Sequence, residues 1–253
     1  MDYNLFFNFL NFKNKLVVIT GCNSPLGNAI AKFYLDAGAV VVGLDLVSKK
    51  NNFIFYKCDI TKEKNVDKIF NLIFNRFKKI DILINNAGKA IFDPFEKRKT
   101  KDLDDVINVN LKGTFYCINS FSKLPSRDKK RNIVNISSVY SVISPDPKIY
   151  SSGDRKSSEI YGATKSGINQ MTKYFSVHLA KKKIRVNSVS PGGIYNIKDP
   201  QSKTFIKNYS RRNPMNRMAD VYEIVGAIVY LTSDTSTYTT GHNLIVDGGM
   251  SAW

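Results

Sequence analysis

Tyr161 and Lys165 stand at i and i+4 in a stretch of helical pattern, which places a phenol and an ammonium on one helix face. A tyrosine titrates near 10 in water, so acting as a base at neutral pH requires a fall of about three units, roughly 4 kcal/mol. One cation about 4 Å away supplies an energy of that order at an effective dielectric of 20. A phenol so placed can act as a general acid/base at neutral pH. Tyr150 is the next phenol in the chain that could serve instead.

A second constellation implies the partner of that chemistry. Thr20-Gly21-Cys22-Asn23-Ser24-Pro25-Leu26-Gly27 follows a short β-branched run and opens a helical segment. Gly21 permits a sharp turn out of the strand, and Gly27 lets the helix pack closely on the sheet. The first amides of the helix, helped by its dipole, then face an anion such as a pyrophosphate. Ser24 is placed to cap the helix and Pro25 to occupy its first position, where a missing N–H costs little. Asp45 closes the second strand, where a carboxylate accepts hydrogen bonds from both ribose hydroxyls of an adenosine. It would repel a 2′-phosphate by roughly 4 kcal/mol at about 4 Å and that same dielectric. The cofactor expected is NAD rather than NADP.

The elements that must position these groups alternate in type. Buried strands are expected at 16–20, 40–44, 53–59, 81–85, 132–137, 184–189 and 243–246. Helices are expected at 25–36, 63–78, about 102–123, 159–181 and 221–231. Ile168, Met171, Phe175 and Leu179 would mark the inner face of the long one. Such alternation predicts an α/β fold: a single-domain, Rossmann-type, doubly wound parallel sheet of about seven strands flanked by helices, spanning 1–253.

Composition narrows the function classes. The hydrophobic fraction of 43% and charged fraction of 23% are ordinary for a soluble domain, whereas a net charge of +17 is not. Its lysines are scattered, and the clusters at 97–101, 129–131 and 181–183 read as exposed helix ends and loops. None is interleaved with the aromatic and glycine pattern of RNA-binding modules, so no nucleic-acid partner is expected. The three cysteines have no paired spacing and the two histidines lie far from them, which argues against a disulfide framework or a metal site. No apolar run reaches membrane-spanning length, and the N-terminus lacks a basic start and a cleavage site, so a cytoplasmic protein is expected.

Taken in order along the chain, these motifs resemble the short-chain dehydrogenase/reductase family. The resemblance rests on the loop at 20–27, Asp59, Asn85-Asn86-Ala87-Gly88, Asn108-Val109-Asn110-Leu111 and Asn135-Ile136-Ser137-Ser138. It continues through Tyr161-Gly162-Ala163-Thr164-Lys165, Arg185-Val186-Asn187, Pro191-Gly192 and Val246-Asp247-Gly248-Gly249. It implies a catalytic set of Asn110, Ser138, Tyr161 and Lys165. Ser138 would bind the substrate oxygen, Asn110 would hold a water of a proton relay, and Lys165 would also bind the nicotinamide ribose. It implies that NAD is held by Gly21, Asn23, Ser24 and Leu26 of the loop, by Asp45, and by Asp59 and Ile60 near the adenine. Asn86, Ala87, Tyr161, Lys165, Pro191, Ile194 and Asn196 would complete the binding set. Family members commonly form homotetramers, or dimers, joined through the two helices beside the active site.

Three departures from the family pattern stand out. Pro25 replaces a usual glycine, an inserted segment at about 145–159 lengthens the span before Tyr161, and Asn196 replaces a usual Thr. The substrate loop, about 194–218, reads as polar and basic. With the insertion, the Asp199-Pro200 step and the Ala252-Trp253 ending, it more narrowly resembles oxidoreductases of surface-glycan and flagellin modification. That likeness implies a sugar or sugar-nucleotide. Lys148, Arg155, Lys156, Lys198, Lys203, Lys207, Arg211 and Arg212 suggest an anionic one. The alternatives are a 3-oxoacyl-thioester (acyl carrier protein) reductase, against which Asp45 counts, and a non-catalytic dinucleotide-sensing regulator, against which the intact Tyr/Lys pair counts.

Overall fold

A computed structural model of the chain describes residues 9–125, 130–150, 156–197 and 201–253. The β-branched runs form one sheet of parallel strands: β1 (Leu16–Thr20), β2 (Val40–Asp45), β3 (Ile54–Lys57), β4 (Ile82–Asn85), β5 (Arg131–Ile136), β6 (Ile184–Pro191) and β7 (Asn243–Val246). Their order across the sheet is β3-β2-β1-β4-β5-β6-β7. The helices are α1 (Pro25–Asp36), α2 (Glu63–Phe77), α3 (Thr100–Ile107), α4 (Thr114–Lys123), α5 (Glu159–His178), α6 (Lys203–Arg212) and α7 (Val221–Thr232).

Side chains alternate across the strands, so each strand feeds two cores. Val17, Ile19, Val41, Ile84 and Val134 pack with α1 and α7 on one face. Leu16, Val18, Val42, Leu83 and Ile133 pack with α2 and α4 on the other. A parallel sheet covered on both faces needs such unbroken apolar runs, which is why they were legible as strands.

Four expectations change. The expected strand at 53–59 is only Ile54–Lys57, which leaves Asp59 in the turn beyond it. The long helix ends at His178, and the face it buries is Thr164, Lys165, Ile168, Thr172 and Ser176; Met171 and Phe175 are only half-buried. Its neighbour is a polar seam: Asn85 Nδ2 donates to Asn135 Oδ1 at 2.8 Å, and Asn135 Nδ2 donates to Thr172 Oγ1 at 3.0 Å. Arg131, expected on an exposed cluster, is buried, with its guanidinium 4.8 Å from the Phe121 ring centre and bonded to the Phe121 carbonyl. Finally, the substrate segment expected as a loop holds helix α6. Lys129 lies outside the described residues.

The layer of α1 and α7 is tied by a buried hydroxyl pair. Tyr34 meets Phe12 and Phe33 edge-on at 5.0 and 5.5 Å, and its hydroxyl lies 2.6 Å from Thr232 Oγ1, which itself donates to the Ile228 carbonyl. Tyr34→Phe removes that bond without stranding the Thr232 proton. Chemical denaturation should show a loss of about 1 kcal/mol, with the denaturant slope unchanged.

Candidate active site

The carboxyl ends of β1, β2, β4, β5 and β6 border the cleft, as is general for open parallel sheets. β5 ends at Ile136, whose carbonyl accepts a hydrogen bond from Lys165 Nζ at 2.7 Å. The next residue, Ser137, is buried and donates its hydroxyl to the Lys165 carbonyl at 2.9 Å, so strand end and helix are joined in both directions. Ser138 follows. Tyr161 lies one turn before Lys165, in the first turn of α5, where its N–H donates to the capping Ser158 hydroxyl at 3.1 Å.

Burial dominates the electrostatics here. It lowers the Lys165 ammonium from 10.5 to about 8. It also raises the Tyr161 phenol above its ordinary value, with a hydrogen bond from Ser138 pulling the other way and nearby Tyr150 adding to the rise. The expected lowering by Lys165 is therefore not seen. The ammonium is spent on the Ile136 carbonyl and stands 5.6 Å from the phenol ring centre. A phenol held protonated is the form that gives a proton to a carbonyl oxygen.

Asn110 lies in a π-helical turn, Asn108–Gly113, that joins α3 to α4. Such widened turns cluster at functional sites because they release backbone groups from the helix ladder. Asn110 Nδ2 donates to the Lys89 carbonyl and to Thr164 Oγ1, both at 3.0 Å, while its Oδ1 accepts from Lys89 N at 2.8 Å. Gly88 separates it from Lys165: a Cβ there would lie 3.5 Å from Lys165 Nζ and 3.6 Å from Asn110 Oδ1. The four side chains singled out by the resemblance are thus brought to one place.

A cleft of about 400 Å³ runs from the ends of β1 and β2 toward β4. Gly21, Ser24, Asp45, Asp59, Ile60, Asn86 and Ala87 line it; sequence reading did not single out Thr61, Lys89 or Val109, which line it too. Gly21 has φ +63, and a Cβ there would meet Ala87 Cα at 2.7 Å, so only glycine lets β1 and β4 close together. Asn86 fastens the loop, donating to the Gly21 carbonyl at 2.9 Å and the Ser24 hydroxyl at 3.1 Å. Ser24 caps α1 by accepting Gly27 N–H at 3.0 Å, with Pro25 opening the helix.

The amides of the loop can be accounted for one by one. Gly21 and Cys22 donate to Leu44, Ser24 to Gly21, Asn28 to the Ser24 carbonyl, Asn23 to Asp45 and Gly27 to the Ser24 hydroxyl. Pro25 has no N–H, which leaves the Leu26 amide at the helix start for an anion. Asp59 Oδ1 accepts from both the amide and the hydroxyl of Thr61. These residues fit a dinucleotide: a helix-start amide for pyrophosphate, carboxylates at the adenosine end and the Tyr161/Lys165 pair at the other. Asn23 buttresses Asp45 and donates to the Val47 carbonyl at 2.6 Å rather than lining the cleft. Ile194 bridges to Ala219, and the half-buried Asn196 lies beyond it; neither lines the cleft.

Beside Tyr161 opens a second cavity, of about 430 Å³, bordered by Ser138, Tyr140, Tyr150, Pro191, Gln201, Phe205, Tyr209 and Met218. The polar, basic character expected of its walls is corrected. α6 is amphipathic, with Phe205 and Tyr209 turned inward, while Lys203, Lys207 and Arg211 are exposed and Arg212 Nε lies 3.6 Å from Asp146. Lys148 and Lys156 do not line the cavity either, so no charged side chain does among the described residues. Arg155, Lys198 and the Asp199-Pro200 step lie outside them. The Tyr209 hydroxyl accepts Gly193 N–H; a Cβ on Gly193 would come 2.7 Å from that ring and one on Gly192 3.0 Å from its hydroxyl, so α6 is seated on two glycines. The insertion is strapped down by Lys156 N–H on the Phe92 carbonyl, 3.0 Å, and by Glu159 paired with Arg98.

Known proteins share this fold. Residues 21–251 match the family model described as enoyl-(acyl carrier protein) reductase. A short-chain dehydrogenase from Leptospira borgpetersenii, solved with bound NAD+, superimposes with a TM-score of 0.88 at 40% identity, over 96% of this chain and 95% of that one. The chain belongs to the short-chain dehydrogenase/reductase family. A sorbose reductase from Candida albicans is 30% identical over 94% of this chain and 88% of its own length. A 3-oxoacyl-[acyl-carrier-protein] reductase from Buchnera aphidicola is 32% identical over 93% and 97%. As a short-chain dehydrogenase/reductase the protein is an NAD(P)-dependent oxidoreductase acting on CH–OH groups. No helix among its described residues is long and apolar enough to cross a membrane.

Two measurements follow from the site. Calorimetry with both cofactors should show NAD(H) bound more tightly than NADP(H), and Asp45→Ser should shrink that preference by about tenfold or more. For Lys165 the sign of the linkage is fixed by its lowered value. Between about pH 8 and 10.5 the unfolded chain holds the proton that the folded chain has lost, so this residue adds stability as pH rises through that window and takes it away as pH falls. The difference in denaturation midpoint between wild type and Lys165→Met, followed from pH 7 to 10.5, should therefore grow with pH.

Proposed function

We propose that this short-chain dehydrogenase/reductase uses NAD(H) to interconvert a secondary alcohol and a ketone on a sugar-type substrate, with Tyr161 as its acid/base. The observation that carries the reading is the Tyr161 phenol at the wall of the second cavity, which Ser138 also borders, one turn before buried Lys165. When bound, the nicotinamide supplies or accepts the hydride. Tyr161 gives a proton to the carbonyl oxygen or takes it from the carbinol, and Ser138 donates a hydrogen bond to that same oxygen as negative charge develops. Lys165 would hold the cofactor's ribose, and Asn110 would hold a water that links Lys165 to a proton relay.

A sugar is supported by the sorbose reductase relative and by the hydroxyls around the cavity. A role in surface-glycan assembly is supported by the likeness of the inserted segment to oxidoreductases of that process. The runner-up, a 3-oxoacyl-thioester reductase, is favoured by the apolar walls Phe92, Phe205 and Met218 and by the Buchnera relative. Assembly as a tetramer or dimer through α4 and α5 is part of the proposal, supported by Phe115, Tyr174 and Val177, exposed by 41, 56 and 71% on those helices.

Turnover of NADH with C5 and C6 ketoses, set against an acetoacetyl thioester, separates the two substrate readings. On whichever is reduced, Tyr161→Phe should lower kcat by about 100-fold or more while leaving NADH affinity within about twofold. Near-normal turnover by that variant would overturn the assignment.

A further inference from the structure

The second cavity has aromatic walls and no charge among its described residues, yet it carries hydrogen-bonding capacity that the protein itself does not use. Tyr140 and Tyr150 face each other with hydroxyls 3.4 Å apart, well beyond the usual 2.5–3.0 Å for such pairs. Each phenol can donate once and accept twice, so one long contact leaves most of that capacity over. Tyr209 differs, because its oxygen is committed to Gly193 N–H. Gln201 is the sharper case. Its Nε2 donates to the Ile194 carbonyl at 3.1 Å, while its Oε1 is sealed from solvent and accepts no hydrogen bond from the described residues. A buried acceptor without a donor is costly; turned toward the cavity that Gln201 borders, that oxygen would gain a ligand hydroxyl as donor.

We propose that Tyr150 and Gln201 are specificity-determining residues that hydrogen-bond hydroxyl groups of an uncharged polyhydroxylated substrate, away from its reacting carbon. This rests on the oxidoreductase reading above and replaces the anionic substrate expected from the sequence. Ring faces of Tyr150 and Phe205, 5.7 Å apart and tilted, offer apolar surface to the C–H face of a sugar, while the hydroxyl and the amide oxygen read its O–H groups. Tyr150 comes from the inserted segment, so the insertion serves substrate choice. A site built to bond a hydroxyl rejects the analogue that lacks it, because its own polar groups are then left unpaired.

The test compares L-sorbose and L-xylulose with 2-hexanone and 2-pentanone, ketones of the same chain lengths without the hydroxyls. With wild type, kcat/KM should favour the ketoses. Tyr150→Phe and Gln201→Leu should each lower it about tenfold for the ketoses and leave it within about threefold for the plain ketones. Titration of the same compounds into the NADH complex, followed by cofactor fluorescence, reads the discrimination without turnover. A failed Tyr161 assignment would leave that binding preference intact, whereas a failed proposal would not. Equal losses on ketoses and ketones, or a wild type that prefers the ketones in both assays, would overturn it.

Discussion

One buried ammonium fixes where the rest of the site can stand. Placing Lys165 Nζ beneath the cleft has a desolvation cost, visible in its lowered proton affinity, and the carbonyl at the end of β5 is what offsets it. Ser137 returns the bond to the Lys165 backbone, so β5 and α5 cannot slide past one another without losing both. From that anchor the remaining groups follow by chain geometry. Tyr161 is one helical turn back, Ser138 is two residues past Ile136, and Thr164 beside Lys165 receives the Asn110 amide.

The dinucleotide end is organised by a different economy, that of backbone donors. Asn86 draws the loop inward by donating to the Gly21 carbonyl and Ser24 hydroxyl, the loop amides donate to Leu44, Gly21, Asp45 and Ser24, and Pro25 contributes none. An anion at the start of α1 meets a rigid frame with the Leu26 amide and the helix dipole rather than a cradle of several N–H groups. The same frame holds Asp45 through the Asn23 amide, which fixes the carboxylate that the proposal sets against the adenosine ribose.

Much of this was legible because the signals were local. Buried β-branched runs announced the strands, Ser24-Pro25 announced a capped helix start, and the i, i+4 spacing put Tyr161 and Lys165 on one face. What was not legible depended on a partner distant in the chain. Arg131 lay in a basic cluster, and only the Phe121 ring and carbonyl, brought in by α4, account for its burial. The segment after β6 was judged by its charges, although Phe205 and Tyr209 at helical spacing were the part that faces the cavity. Met171 and Phe175 fitted an apolar stripe, but α5 meets a polar strand end at Asn135, so small polar residues won that face. The state of the Tyr161 phenol is set by burial, a property of the assembled fold that spacing alone does not contain.

Between α3 and α4 the helix widens for the six residues Asn108–Gly113. Each residue of an α-helix advances the side chain by about 100°, so adding or removing one residue in this stretch would swing Asn110 away from Lys89 and Thr164 while leaving both flanking helices intact. The widened turn acts as a phase adjuster between two rigid rods. Anyone exchanging segments among relatives of this chain would need to move Thr100 through Lys123 as one block, since a crossover inside it would preserve the helices and lose their relative phase.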